Sequence, residues 1–305
     1  MNISTNSLQD QLHRFIEQRN RALALTQQQI SSGKKYIRRS ENPAETSEAA
    51  RIRAAQRMNQ QWTRNVGRAM DWSQVTEGRL DEGIDIIQRT NELAVQSGDA
   101  TMTAADRQRI AIEMDTLLES MVAIANTTHQ GSYLFGGIHS DTPPIQVTRD
   151  PDGQITAITQ AGVAWQERQA QVGENEQFNY GATAGGPEGV FVDSTSGIDI
   201  IQSMVDLRDQ LQSGQAATPT DLTNMSASLD HLTSRLVESG VDMNRLEGLE
   251  TQQTDRDLSF EERLSDVDDV DLAKALTDLS QLEISLQATL QMASRLNQIS
   301  MIDFI

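Results

Sequence analysis

Four histidines, His13, His129, His139 and His231, are the only nitrogen donors able to act as neutral metal ligands, and there is no cysteine to join them. A zinc helix needs two such residues four apart, so that both rings leave one face. None of the four stands at that spacing, and solvated or structural roles account for them. Asp266, Asp268, Asp269 and Asp271, or Asp150 with Asp152, offer carboxylates for calcium. Neither run carries the EF-hand glycine at position six and glutamate at position twelve, so helix capping and loop solvation are the better reading. Gly131, Gly136 and Gly137 surround Tyr133-Leu134-Phe135 without the spacing of a phosphate or dinucleotide loop, and the segment reads as a turn. Ile155 to Trp165 could be a carbohydrate or adhesion surface, yet one exposed tryptophan is ordinary. No catalytic, cofactor or metal site emerges, and the expectation is a protein that is not an enzyme.

Composition agrees. An aromatic content of 4% in 305 residues is thin for a deep, pocketed core and favours long helices. Absence of cysteine removes disulfides and thiolate chemistry and suits an oxidising, extracellular destination. No apolar stretch approaches a membrane span, and residues 1 to 30 lack the pattern of a secretory signal, so if the protein leaves the cell another route carries it. The net charge of -19 opposes binding to nucleic acid or anionic membrane. Its distribution is uneven: Met1 to Arg68 holds twelve basic residues against five acids, whereas Gly240 to Ile305 holds fourteen acids against five bases. Opposite charge at the two ends favours their side-by-side pairing, mainly by steering partner and register.

The elements that would do the positioning are helices. Leu8, Leu12, Phe15, Ile16, Leu23 and Ile30 recur at steps of one helical face from about Asn6 to Ser31, and Gly33 supplies a stop. After the basic connector Lys34 to Ser40, Asn42 reads as an N-cap, Pro43 as the first helical residue and Glu45 as the partner that closes a capping box. Pro43 to about Ser97 then forms one very long helix, and a further helix starts at the Thr103 cap and runs to about Thr128. Turn formers such as Pro143-Pro144 and Gly185-Gly186-Pro187 divide the next stretch, with alternating strand-like runs between them. Helix returns from about Gly197 to Gln212 and from Pro219 to about Phe260. Carboxylates between Ser265 and Asp271 can cap the last helix. In that helix Leu272, Ala275, Leu279, Leu282, Leu286, Thr289, Ala293 and Leu296 alternate at three and four, the seam of a coiled coil, while Leu276 and Leu290 widen it.

The expected fold is mainly α: an elongated antiparallel helical bundle or coiled-coil rod built from both chain ends, with a small central β-rich domain. Its expected segments are an assembly helix with basic connector (1–42), the N-terminal side of the rod (43–140), a β-rich surface-exposed module (141–195), the C-terminal side of the rod (196–262) and a C-terminal assembly helix (263–305).

Four stretches carry a family resemblance: Met1-Asn2-Ile3-Ser4-Thr5-Asn6, Ile30-Ser31-Ser32-Gly33-Lys34-Lys35, Ser40-Glu41-Asn42-Pro43-Ala44, and the ending from Leu296 to Ile305. Together they resemble the flagellin superfamily of bacterial axial proteins. Tyr133-Leu134-Phe135-Gly136-Gly137, Asp141-Thr142-Pro143-Pro144 and the Ser300-Met301-Ile302-Asp303-Phe304-Ile305 end resemble its hook-associated protein 3 branch, the hook-filament junction family. The resemblance implies a secreted structural protein of motility, located in the extracellular flagellum and needing no cofactor. It further implies export through the flagellar type III apparatus without a cleaved signal. The implied partners are further copies of itself, hook-associated protein 1, flagellin and a dedicated type III export chaperone. The interface expected from the seams is Leu8, Leu12, Phe15, Ile16, Leu23 and Ile30 against Leu272, Leu276, Leu279, Leu282, Leu286, Leu290 and Leu296. A flagellin filament subunit and a cytoplasmic coiled-coil scaffold are the alternatives.

Overall fold

The computed structural model describes residues 2–161 and 165–302, with side chains at 10–161 and 165–294. Six helices carry most of the described chain: α1 (Asn2–Ser32), α2 (Pro43–Ser97), α3 (Ala104–Ala125), α4 (Ile200–Gln212), α5 (Pro219–Asp268) and α6 (Leu272–Ile302). Among the described residues between α3 and α4 the regular elements are short strands, so the fold is mainly α with a small β part, as the periodicity requires. The chain divides into a terminal unit, residues 1–59 with 255–305, and a central unit, residues 60–254. Both α2 and α5 contribute to each.

In the central unit, α3 starts on a complete capping box. The Thr103 hydroxyl accepts from the Asp106 amide, and Asp106 accepts from the Thr103 backbone. Antiparallel hairpins follow, each closed by turn chemistry. β1 (Thr128–His129) and β2 (Ser132–Tyr133) are joined through Gln130 and Gly131, both with positive φ, as a two-residue hairpin turn demands. β3 (Ile145–Arg149) and β4 (Ile155–Gln160) pair with a bulge at Thr148/Arg149. β5 (Arg168–Gln171) pairs with β6 (Gln177–Tyr180). β7 (Gly185–Gly186), β8 (Val192–Asp193) and β9 (Ile198–Asp199) form a small mixed sheet.

These strands do not make a core of their own. Phe135, Ile145, Ile155 and Phe191 are buried in one cluster with Leu80 and Ile87 of α2, Met114 and Leu118 of α3, Ile201 and Met204 of α4 and Leu232 of α5. Tyr133 to Gly137 is therefore more than a turn. Leu134 and Phe135 are buried, and Phe135 meets Phe191 edge to face at 5.1 Å between centroids. Full burial of a side chain of this size is worth about 1.5–3 kcal/mol. Gly137 permits the approach: its φ is +57°, and a Cβ there would lie 2.2 Å from the Gln166 carbonyl oxygen.

Candidate assembly interface

The terminal unit brings the two chain ends together. α1 and α6 pack against each other, and a short antiparallel link fixes their direction. Lys34 bridges Asp269, the Lys35 amide donates to the Asp268 carbonyl at 2.7 Å, and the Val270 amide donates to the Gly33 carbonyl at 2.9 Å. The end of α1 therefore lies beside the start of α6, and the two helices run antiparallel.

Along α1 the half-buried or buried positions include Leu12, Ile16, Arg19, Leu23, Thr26 and Ile30, an unbroken alternation of four and three. On α6 they are Ala275, Leu279, Leu282, Leu286, Thr289 and Ala293, with the same alternation. Each helix turns its heptad seam inward, and polar residues take part. Thr26 and Thr289 are buried because each hydroxyl donates to the carbonyl four residues earlier, Ala22 at 3.0 Å and Ser285 at 2.7 Å. A search for apolar periodicity passes over Thr26 and Arg19. The exact three-four spacing is the signal that finds them.

Other expected interface residues lie off this seam. Leu272, Leu276 and Leu290 are 51%, 53% and 50% exposed, and Phe15 is 39% exposed under the Arg19 guanidinium. At roughly 100° per residue, Leu272, Leu276 and Leu290 share one strip beside the seam of α6. The α1–α6 pair thus leaves an apolar flank open to solvent. Leu8 and Leu296 fall outside the residues whose side chains are described, and Asp303 to Ile305 outside the described residues.

The connector is held by charge and caps. Gly33 ends α1 with φ +70°, a conformation that glycine adopts at little cost. Asn42 caps α2, its Oδ1 accepting from the Glu45 amide at 3.3 Å, and Pro43 opens the helix. The Glu45 carboxylate, which the sequence assigns to closing this cap, instead accepts from Lys35 Nζ at 3.2 Å. That bond holds the Glu45 carboxyl below its ordinary range and the Lys35 ammonium above its own. Asp271 caps α6 by accepting from the Lys274 amide at 3.0 Å. Asp268 has a different role from the capping expected of this run: buried, it accepts from Arg53 and lies 3.6 Å from Lys34.

A polar cavity in the central unit is lined in part by Ser73, Thr76, Glu167, Glu188, Arg235, Glu238 and Asp242, where Arg235 donates to Glu238 at 2.8 Å. Two histidines serve as local struts. His129 Nε2 lies 3.0 Å from Asp71, and His231 Nε2 lies 2.9 Å from the Gly189 carbonyl. Among the described residues no group of three His, Asp or Glu is arranged to hold a metal ion, and no helix is long and apolar enough to cross a membrane.

A family model described as the bacterial flagellin N-terminal helical region matches residues 3–140. The flagellar hook-associated protein 3 of Escherichia coli (strain K12) is 26% identical over 277 residues, covering 86% of this chain and 86% of that protein. The flagellar filament 41 kDa core protein of Borreliella burgdorferi is 38% identical, but over 104 residues, 34% of this chain and 31% of that protein. The crystal structure of hook-associated protein 3 from Legionella pneumophila shares the fold, with a TM-score of 0.60 at 16% identity, covering 71% of this chain and 98% of that one. The match to the Borreliella filament protein is confined to a third of the chain, whereas that to hook-associated protein 3 covers most of it. The chain is thus similar to the bacterial flagellin N-terminal helical region over residues 3–140 and to flagellar hook-associated protein 3 over most of its length.

Proposed function

We propose that this protein is a structural axial component of the bacterial flagellum that joins the hook to the flagellin filament through helical self-assembly of its terminal helices. The observation that carries the reading is the antiparallel α1–α6 pair, whose seam is turned inward while Leu272, Leu276 and Leu290 stay exposed beside it. A pair with a spare apolar flank is suited to packing against further copies, because burying that strip gains free energy at about 25 cal/mol per Å². Neighbours at the junction are hook-associated protein 1 on one side and flagellin on the other. Delivery is through the flagellar type III apparatus, with a dedicated chaperone covering the C-terminal region before export.

Gold-labelled antibody against the chain tests this reading on intact cells. The expected result is a single band at the distal end of each hook. Label along whole filaments would favour a flagellin subunit, and label confined to the cytoplasm would favour a coiled-coil scaffold.

A further inference from the structure

Among the described residues, two helix faces of the terminal unit are exposed without a partner. On α5, Phe260, Leu264, Val267 and Asp268 form the covered side, and Leu258 points away from it at 56% exposure. Asp255, Glu262 and Asp266 stand three before, four after and eight after Leu258, on the same outward face. Among the described residues none of these three carboxylates has an ion-pair partner, while Arg256 lies at the margin of the face. On α2, Ala49, Ile52 and Asn59 are buried, and the opposite side carries Ala50, Ala54, Arg51, Arg57 and Met58. Arg57 has no ion pair among the described residues. Arg51 reaches only its own Glu48, at 3.5 Å and with 79% of its side chain exposed.

The two faces complement each other in charge and shape. One is acidic and raised at a leucine; the other is basic and low where two alanines stand four apart. We propose that they meet between copies of this chain, with Leu258 of one copy seated at Ala50 and Ala54 of the next, and Glu262 and Asp266 facing Arg51 and Arg57. The alanines let the helix backbones approach, and the leucine fills the space they leave. The ion pairs add little affinity but reject like faces, so an α2 face does not pair with another α2 face. A contact between two different faces is head-to-tail, and repeated from copy to copy it builds a ring or a helix. This inference rests on the self-assembly reading above and names a surface for it.

The test uses a strain lacking the chain, complemented with the full-length protein carrying a photo-cross-linking amino acid at Leu258. Assembled flagella are irradiated and the adducts mapped. The expected adduct joins residue 258 to the peptide holding Ala50 to Met58 of a second copy. Glu262→Lys with Asp266→Lys should reduce it to background, and adding Arg51→Glu with Arg57→Glu should restore it. Circular dichroism of each purified variant checks that helix content is retained. An adduct on another protein, or elsewhere on a second copy, overturns the contact, as does failure of the double reversal to restore it in variants that retain their helix content. If the unmodified chain fails to restore filaments in that strain, the junction reading itself has failed.

Discussion

Arg53 and Asp268 are 215 residues apart in sequence and share a hydrogen-bonded ion pair that ties α2 to the end of α5 inside the terminal unit. The Asp268 side chain is 9% exposed, and Lys34 approaches the same oxygen, so one basic group of α2 and one of the connector converge on one carboxylate. Asp268→Ala removes the acceptor and leaves two cations facing each other. A hydrogen bond to a charged group contributes about 1.5–3 kcal/mol, and the variant should lose about 2 kcal/mol in urea unfolding. Asp268→Asn, which keeps an acceptor oxygen, should lose less. Equal stability of Asp268→Ala and the natural chain would remove this clamp from the account.

Asp193 predicts a pH dependence in the central unit. Burial pushes its carboxyl up, but bonds from the Ser196 hydroxyl and the Thr195 and Glu188 amides more than reverse this and hold it at about 2. A carboxyl depressed on folding adds stability that is full above its unfolded value, near pH 4, and is lost as pH falls through about 2. The shift corresponds to about 2 kcal/mol. The stability difference between the natural chain and Asp193→Asn, measured by thermal melts, should be constant from pH 7 to 5 and shrink between pH 4 and 2.

Arg208 predicts how the β3–β4 hairpin is fastened to the helices. Its side chain is 2% exposed, and its guanidinium donates to Asp115 of α3 at 2.7 Å, to Asp209 at 2.8 Å and to the Ile155 carbonyl. Arg208→Met leaves Asp115 and that carbonyl without their donor. The cost should be roughly 3 kcal/mol, at the low end for a broken buried pair because Asp115 keeps 26% of its surface in water. Arg208→Lys should recover only part, since one ammonium cannot span the acceptors of a planar guanidinium. Hydrogen exchange should show the loss first at Ile145 to Gln160.

Much of this was legible from residue spacing, and the misses have physical causes. Pro43 to Ser97 reads as one helix because its glycines never coincide with a second breaker, and the structure keeps it unbroken. α5 runs eight residues past the expected stop at Phe260, since the break from Ser265 onward narrows to Asp269, Val270 and Asp271. Those carboxylates look alike in sequence, yet Asp271 caps a helix and Asp268 holds Arg53 and Lys34, partners more than 200 residues away. Long-range charge pairing leaves no local mark. Leu134 and Phe135 were hidden for the converse reason: glycines around them signal a turn, while their burial depends on Phe191 and on α2, α3 and α4 arriving from elsewhere. On α6, the alternation of three and four separates Leu279, Leu282 and Leu286 from the exposed Leu276 and Leu290, although all five are leucines.

In the proposed function the paired terminal helices are the working joint, and Leu282 and Leu286 lie on the seam that pairs them. Placing two carboxylates there, as Leu282→Asp with Leu286→Asp, opposes burial of the seam. The decisive measurement is the fate of flagellin in cells whose only copy of the chain carries this pair of changes. Intact hooks without filaments are expected, with flagellin and the variant both recovered as soluble protein in the medium. Filaments of normal length and number on those hooks would contradict the proposed function.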